Sequence, residues 1–144
     1  VFTIYKLRTM KLNSESGNPI WASKLDSRIT KIGKVLRKYR IDELPQLICV
    51  IKGEMSLIGP RPERAEIDKK LVTCIPHYNS RYLIRPGLSG WAQVNYPYGA
   101  SIYDSTKKLS FDLFYLKNFS IWFDLLILFK TIRLVILRKG SEPI

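Results

Sequence analysis

The chain has 144 residues, 46% of them hydrophobic, so it is long enough for one domain with a core and too apolar for a disordered chain. Its 24 Lys and Arg against 12 Asp and Glu leave a formal net charge of +12, which indicates a polyanionic partner: nucleic acid, an anionic membrane surface or a phosphate-rich substrate. Two cysteines and one histidine exclude a disulfide framework and a histidine-based metal cluster.

The first part of the chain predicts a strand and then a helix. Residues 2–8 alternate along the chain and are rich in β formers, which is typical of a strand. Lys6 and Arg8 would then point to the same face of that strand. Asp26 is expected to cap a helix that ends near Tyr39 and carries one apolar stripe.

The middle of the chain predicts two helices separated by a rigid turn. Asp42 is expected to open the first helix, with Pro45 in its first turn and Gly53 as the residue that ends it. The run over residues 59–63 contains two prolines and is typical of a rigid turn. A polar helix is expected over residues 63–73.

The last third predicts a turn, a short strand and two helices. Residues 85–90 form a Gly/Pro turn, residues 91–95 a strand-like stretch, and residues 101–117 a helix. Residues 119–137 are apolar over most of the helical circumference but carry three charges, each costing about 2.5–3.5 kcal/mol at a bilayer centre. This argues against a spanning helix and leaves open an interfacial helix or one packed in a larger core.

These elements together predict an α/β fold class, mainly helical with a small β element, in a single domain over residues 1–144. Cys49 and Cys74 both lie among apolar neighbours, so we expect buried free thiols in a reducing compartment. His77 follows a proline and is expected at the surface or in a loop.

Adjacent carboxylates at Asp42 and Glu43 are the first candidates for catalysis. Arg37 and Arg40 lie close in sequence, in a chain whose acid-rich centre is flanked by basic segments. An ionised carboxylate can attack phosphorus, and a neighbouring one can bind Mg²⁺, which prefers oxygen ligands and substrate phosphates. The alternative is structural: Asp42 as a helix cap and Glu43 as a first-turn acid, a common arrangement.

Basic residues in three other places are candidates for phosphate binding. Arg61 lies between two prolines, and a guanidinium on such a rigid loop suits bidentate contact with phosphate. Arg85 opens a turn whose glycines permit close approach of the backbone to a ligand. Lys6 and Arg8 form the third group. Each has a structural alternative: a solvated arginine, an ordinary tight turn, and a strand face turned to solvent.

Five motifs in this order resemble the bacterial sugar transferase family, monotopic polyprenyl-phosphate phosphoglycosyl transferases that begin exopolysaccharide, O-antigen and glycoprotein glycan assembly. The motifs are YKLRTM, RIDELPQL, GEMSLIGPRPE, RPGLSGWAQVN and FDLFYLKNFSIWFDLLILFKTIRLVI. The resemblance covers residues 2–137. The NYPYGAS segment looks most like the branch that transfers hexose 1-phosphate in exopolysaccharide synthesis.

The resemblance implies a role for each candidate residue. Asp42 would attack the β-phosphate of a UDP-sugar, release UMP and carry a covalent phosphosugar until polyprenyl phosphate accepts it. Glu43 would help to bind Mg²⁺. The other basic residues fall on or near phosphate-binding positions of the family: Lys6, Arg37 and Arg61, with Arg8 as a neighbour and Arg85 at the nucleotide end.

The resemblance also implies a membrane location, on the cytoplasmic face of the bacterial inner membrane. Family members carry an N-terminal hydrophobic re-entrant helix, and this chain is expected to be the catalytic domain that starts after it. Anionic lipid headgroups are expected partners of several basic residues: Lys31, Lys34, Arg133, Arg138 and Lys139. A second copy of the chain is a further candidate partner.

Two other classes of function stay open from composition alone. A nucleic-acid-binding domain would explain the charge and the 12% aromatic content. However, no helix-turn-helix, zinc-finger, RNP or KH signature is evident, and the aromatic residues cluster in apolar segments, so no nucleic acid partner is expected. A non-enzymatic adaptor at the membrane surface would use residues 27–39 and 119–137, but it would leave the DELPQ and PRPE motifs without a role.

Overall fold

The computed structural model describes residues 2–12, 26–97, 99 and 101–137, and these are mostly helical. The described α-helices are α1 Lys31–Lys38, α2 Leu47–Ile51, α3 Ala65–Cys74, α4 Trp91–Asn95, α5 Ile102–Lys117 and α6 Ile121–Ile136. Two 3-10 helices span Ile41–Gln46 and Tyr78–Leu83, and two short strands are β1 Ser56–Ile58 and β2 Gly87–Ser89. The predicted combination of many helices with a small β element is confirmed.

The strand predicted over residues 2–8 is wrong, because this segment finds no partner strand in the described part of the chain. Its backbone pairs instead with the elements around it. The Leu7 N–H donates to the Asp42 carbonyl at 3.0 Å, and the Thr9 carbonyl accepts from the Thr30 N–H at 3.0 Å. The segment is therefore fixed against the region that carries the two candidate carboxylates.

The first helix begins later than predicted and packs through its backbone. Thr30 rather than Asp26 is the N-cap, and its side chain accepts a hydrogen bond from the Gly33 N–H. Asp26 instead binds the guanidinium of Arg28. Gly33 lies so close to the Thr9 carbonyl that a Cβ would overlap it. The predicted apolar stripe faces outward at Ile32, which is 73% exposed.

The segment that follows is a 3-10 helix and a short α-helix rather than the single helix predicted from Asp42. Arg40 adopts a left-handed conformation with φ 56°, and the 3-10 helix Ile41–Gln46 contains Pro45. Helix α2 continues from it. Gly53 follows α2 with φ 75°, so the predicted role of this glycine in ending the helix is confirmed.

A two-stranded parallel sheet lies at the centre of the chain. Strand β1 pairs with β2 so that Ser56 is opposite Gly87 and Ile58 is opposite Ser89. The strand-like stretch predicted over residues 91–95 is wrong, because strand β2 ends at Ser89 and α4 begins at Trp91. The Trp91 ring stacks on Phe114 of α5 and packs against Phe123 of α6, which holds this short helix in place.

Helix α5 joins the two apolar clusters of the core. Its residue Leu109 packs with Leu71 of α3, with Ile75 directly after α3 and with Tyr78 of the second 3-10 helix. One turn and a half later, Tyr115 packs with Ile58 of β1 and Ile127 of α6. The predicted start of α5 is confirmed, since Ser101 and Asp104 form a reciprocal capping box.

The helix predicted in the final apolar segment is present as α6, with one face in the core and the other exposed. Ile127 is fully buried, whereas Trp122 is 79% exposed and Phe129 71%. Within the described residues, no helix combines the length and the apolar character needed to cross a bilayer.

The two cysteines differ in their exposure to solvent. Cys49 is buried as predicted, and its thiol donates to the Thr3 carbonyl at 3.3 Å. The prediction for Cys74 is wrong, because it lies exposed at the end of α3, a polar helix that covers the core with only one side. His77 is exposed just before the second 3-10 helix, as expected.

Candidate active site

The two candidate carboxylates lie in the first 3-10 helix, directly after the left-handed Arg40. The cap predicted at Asp42 is wrong, since Asp42 lies inside this helix and no side chain caps its start. Asp42 is buried, with 9% of its surface exposed. Its main-chain carbonyl accepts from Leu7, so the N-terminal segment lies directly beside it.

Glu43 is held by two cations. The Arg61 guanidinium donates to both of its carboxylate oxygens, with Nη1 at 3.2 Å from Oε2. The Lys6 ammonium lies 3.4 Å from Oε1. Burial favours the neutral carboxyl, but the charges of Arg61 and Lys6 outweigh it and lower the pKa of Glu43 to about 2. Glu43 is therefore a charged carboxylate at neutral pH.

Asp42 has a different electrostatic environment. No salt bridge holds its carboxylate within the described ranges of the chain. Burial, followed by the adjacent charge of Glu43, raises its pKa, and the charges of Lys6 and Arg37 only partly oppose this. The two adjacent carboxyls thus have pKa values shifted in opposite directions, which is typical of a pair with different chemical roles.

Four cations surround the two carboxylates and leave this region with excess positive charge. The charges of Lys6, Arg37, Arg40 and Arg61 act on Asp42 or Glu43. Arg37 is held in place because its Nε donates to the Thr9 hydroxyl at 2.9 Å. A region with two carboxylates and four cations can bind a multiply charged anion beside an ionised nucleophile.

Three of the five predicted basic residues belong to this cluster, and two do not. Arg8 is exposed and makes no salt bridge to the dyad among the residues that the structure describes. Its predicted alignment with Lys6 rested on a strand that does not form. Arg85 is exposed beside Gly53, beyond the far end of α2 from Asp42. Its predicted contact with the nucleotide remains a prediction.

Arg40 belongs to the cluster although it was not among the predicted phosphate-binding residues. The spacing of three between Arg37 and Arg40 could have suggested it, since residues three apart share a face of a helical segment. The left-handed conformation of Arg40 is not visible in the sequence, because arginine has no preference for it.

The dyad suits a magnesium ion that is shared with a substrate. A charged carboxylate at Glu43 and a second at Asp42 are oxygen ligands of the type Mg²⁺ prefers. No group of three or more His, Cys, Asp or Glu that could hold a metal occurs in the part of the chain described. Mg²⁺ commonly uses one or two carboxylates and completes its coordination with phosphate oxygens and water, so the residues present fit this ion.

Comparison with known proteins identifies the family. A family model described as Bacterial sugar transferase matches residues 1–138. The chain belongs to the bacterial sugar transferase family. The resemblance found in its motifs is thereby confirmed, and neither the nucleic-acid-binding nor the adaptor alternative is favoured.

Curated relatives of this sugar transferase chain carry related names. It is 50% identical over 141 residues to a UDP-N-acetylgalactosamine-undecaprenyl-phosphate N-acetylgalactosaminephosphotransferase of Aeromonas hydrophila, covering 98% of this chain and 33% of the relative. It is 40% identical to a UDP-glucose:undecaprenyl-phosphate glucose-1-phosphate transferase of Caulobacter vibrioides, covering 91% and 50%. A Xanthomonas campestris protein of the same name is 38% identical, covering 90% and 28%. The chain thus spans between about a quarter and a half of these relatives.

Proposed function

We propose that this chain transfers a sugar 1-phosphate from a UDP-sugar to undecaprenyl phosphate, releasing UMP. The observation that carries this proposal is the dyad, in which a buried Asp42 without a salt bridge adjoins a Glu43 held by Arg61 and Lys6. The names of the relatives support the same donor and acceptor classes. The reaction would be the first membrane step of a polysaccharide pathway.

The first step of the proposed mechanism forms a covalent intermediate on Asp42. A carboxylate oxygen of Asp42 attacks the β-phosphorus of the UDP-sugar, and the bond from this phosphorus to the bridging oxygen breaks. UMP leaves with that electron pair. The sugar phosphate is then attached to Asp42 as an acyl phosphate. The raised pKa of Asp42 suits this role, since a more basic carboxylate is a better nucleophile.

The second step regenerates the carboxylate. A phosphate oxygen of undecaprenyl phosphate attacks the same phosphorus, and the bond between phosphorus and the Asp42 oxygen breaks. The product is a lipid-linked diphosphosugar. This division allows a water-soluble nucleotide sugar and a membrane-bound acceptor to use the same site in turn.

The surrounding cations would make attack of an anion on an anion feasible. Lys6, Arg37 and Arg61 would bind the phosphate oxygens and stabilise the charge that develops in the transition state. Glu43, with Asp42 beside it, would hold Mg²⁺, and the bound ion would neutralise part of the diphosphate charge. For this, Arg61 would exchange its contact with Glu43 for one with phosphate.

The proposed location is the cytoplasmic face of the bacterial inner membrane, in a monotopic arrangement. Exposed basic residues on α1 and α6 support contact with anionic headgroups: Lys31, Lys34 and Arg133. Arg138 and Lys139, expected to share this role, lie outside the described residues. Exposed apolar side chains on the same two helices support contact with the membrane interface: Ile32, Val35, Trp122 and Phe129.

Release of UMP from a panel of UDP-hexoses tests the proposal, with the protein in membranes that contain undecaprenyl phosphate and Mg²⁺. Asp42→Asn is expected to abolish UMP release, because an amide cannot form the acyl phosphate. Asp68→Asn on α3 is the matched control and is expected to retain it. Substantial turnover by Asp42→Asn would contradict the covalent mechanism.

A further inference from the structure

A buried ion pair outside the dyad is bonded to the same loop that carries Arg61. Arg81 of the second 3-10 helix and Asp112 of α5 are 6% and 2% exposed, and Nη2 of Arg81 lies 3.0 Å from Oδ2 of Asp112. The same Nη2 donates to the main-chain carbonyl of Arg61 at 2.7 Å, and Nη1 donates to the Tyr78 hydroxyl. Arg81 thus connects the core helix α5 to the loop of the candidate active site.

Two consecutive carbonyls of this loop are fixed by different parts of the fold. The Pro60 carbonyl accepts from the Gly87 N–H at 2.9 Å, which ties it to the start of β2. The Arg61 carbonyl is tied to Arg81. Pro62 follows and has no N–H to add a third backbone bond. The bond from Arg81 therefore holds the main chain at the residue from which the Arg61 side chain leaves the loop.

The pair is not arranged as stability alone would require. Nε of Arg81 is buried without a hydrogen-bond partner in the described part of the chain, and Oδ2 of Asp112 faces Nη2 without hydrogen-bond geometry. A buried ion pair with unsatisfied atoms contributes little to stability compared with apolar residues of similar size. What this ion pair does provide is a charged hydrogen-bond donor, Arg81, at the Arg61 carbonyl.

We propose that Arg81 is a positioning residue, which acts through Arg61 to hold the Arg61 guanidinium where it meets Glu43 and, in turn, the diphosphate of the donor. The second part of this proposal rests on the proposed function. The first part concerns only the chain itself and can be tested without any substrate.

A double-mutant cycle on UDP binding tests the link between Arg81 and Arg61. Asp112→Asn is the reference, because it removes the buried negative charge and leaves Arg81 able to donate to Arg61. Adding Arg81→Met to this reference is expected to weaken UDP binding about tenfold. In the presence of Arg61→Ala, the same change is expected to have less than a twofold effect. Equal losses with and without Arg61 would overturn the proposal.

The matched controls separate positioning from stability. Thermal unfolding is measured for every variant, and Asp112→Asn alone is expected to leave the UDP affinity within twofold of that of the original chain. If the Met-containing double variant does not fold, Arg81→Lys replaces it. Lysine keeps a cation beside Asp112, but its shorter side chain falls short of the Arg61 carbonyl.

A spectroscopic readout distinguishes failure of this proposal from failure of the proposed function. The guanidinium signals of Arg61, assigned by their loss in Arg61→Lys, are recorded by NMR in the nucleotide-free chain. We expect Arg81→Lys to shift these signals to the position of a free arginine and Asp112→Asn to leave them in place. Unchanged signals in Arg81→Lys would overturn the positioning role. If the original chain binds no UDP, the proposed function fails and this readout still decides the role of Arg81.

Discussion

Arg61 and Glu43, 18 residues apart, form a two-point contact in which one guanidinium binds both carboxylate oxygens. This geometry joins the proline-bracketed loop to the 3-10 helix that carries the dyad. It also places the Arg61 guanidinium on Glu43 rather than on Asp42, the proposed nucleophile. Asp42 is left without a salt bridge among the described residues, and the contact therefore differentiates two carboxylates that are neighbours in sequence.

Acid should destabilise the chain through Glu43. Its pKa is about 2 in the folded chain against an ordinary value of 4.5, so the unfolded state binds the proton more tightly. The contribution of ionised Glu43 to the free energy of unfolding is fully present above pH 4.5 and is lost as the pH falls towards 2. The total loss is about 3 kcal/mol. Urea unfolding across this range measures it. Glu43→Gln should flatten the acid dependence, whereas Glu66→Gln on the exposed face of α3 should not.

Asp112 should give the opposite pH dependence. Burial raises its pKa to about 6 from 3.8, and Arg81 only partly opposes this shift. The folded chain therefore binds this proton more tightly than the unfolded chain does. Stability from this group is present below pH 3.8 and is lost as the pH rises through about 6. Asp112→Asn should remove this decline in urea unfolding, and a decline that persists in the variant would assign it to another group.

Arg61 and Arg85 should be distinguishable by the ligand used. Arg61→Ala is expected to weaken binding of both UDP and inorganic pyrophosphate about tenfold, since Arg61 lies at the proposed phosphate position. Arg85→Ala is expected to weaken binding of UDP alone if Arg85 meets the nucleotide end. Isothermal titration with the two ligands measures this, and Arg64→Ala serves as a control for loss of a nearby positive charge. Equal effects on both ligands would assign Arg85 to phosphate.

Replacing Gly33 by alanine should destabilise the chain, although the same change usually stabilises a helix. Helix propensity favours alanine by up to about 1 kcal/mol. At Gly33, however, the added Cβ overlaps the main-chain carbonyl of Thr9, which cannot move aside as a side-chain end could. We expect a net loss of roughly 1–3 kcal/mol in urea unfolding. Lys34→Ala on the exposed side should be nearly neutral, and a stabilised Gly33→Ala would contradict the close packing.

Elements with local signals were predictable from the sequence, and elements made by distant contacts were not. The start of helix α5 could be predicted because Ser101 and Asp104 form a capping box within one turn. The segment over residues 2–8 has the alternation of a strand, but strand formation needs a partner strand, and the Leu7 N–H donates to the Asp42 carbonyl instead. Trp91 is a good strand former that lies in a helix, because its ring packs between α5 and α6.

The candidate site shows the same division. The adjacency of Asp42 and Glu43 and the prolines around Arg61 are visible in the sequence, so both halves of the site could be identified. Their contact could not, because it depends on the fold that brings the loop to the dyad. Arg81 gave no signal at all: it is a single arginine in a loop-like segment, and only its burial against Asp112 distinguishes it.

The N-terminal segment has a kinetic consequence for the site. Lys6 lies between Thr3, whose carbonyl accepts from the Cys49 thiol, and Leu7, whose N–H donates to Asp42. Four residues span at most about 14 Å, so these two bonds confine the Lys6 ammonium to the neighbourhood of the dyad. Its effective concentration at Glu43 is therefore high, although the two residues lie 37 positions apart in the sequence. An incoming phosphate that binds Lys6 would break the contact between Lys6 and Glu43. After the phosphate leaves, the Lys6 ammonium would still lie within reach of Glu43, so the contact would form again without a diffusive search.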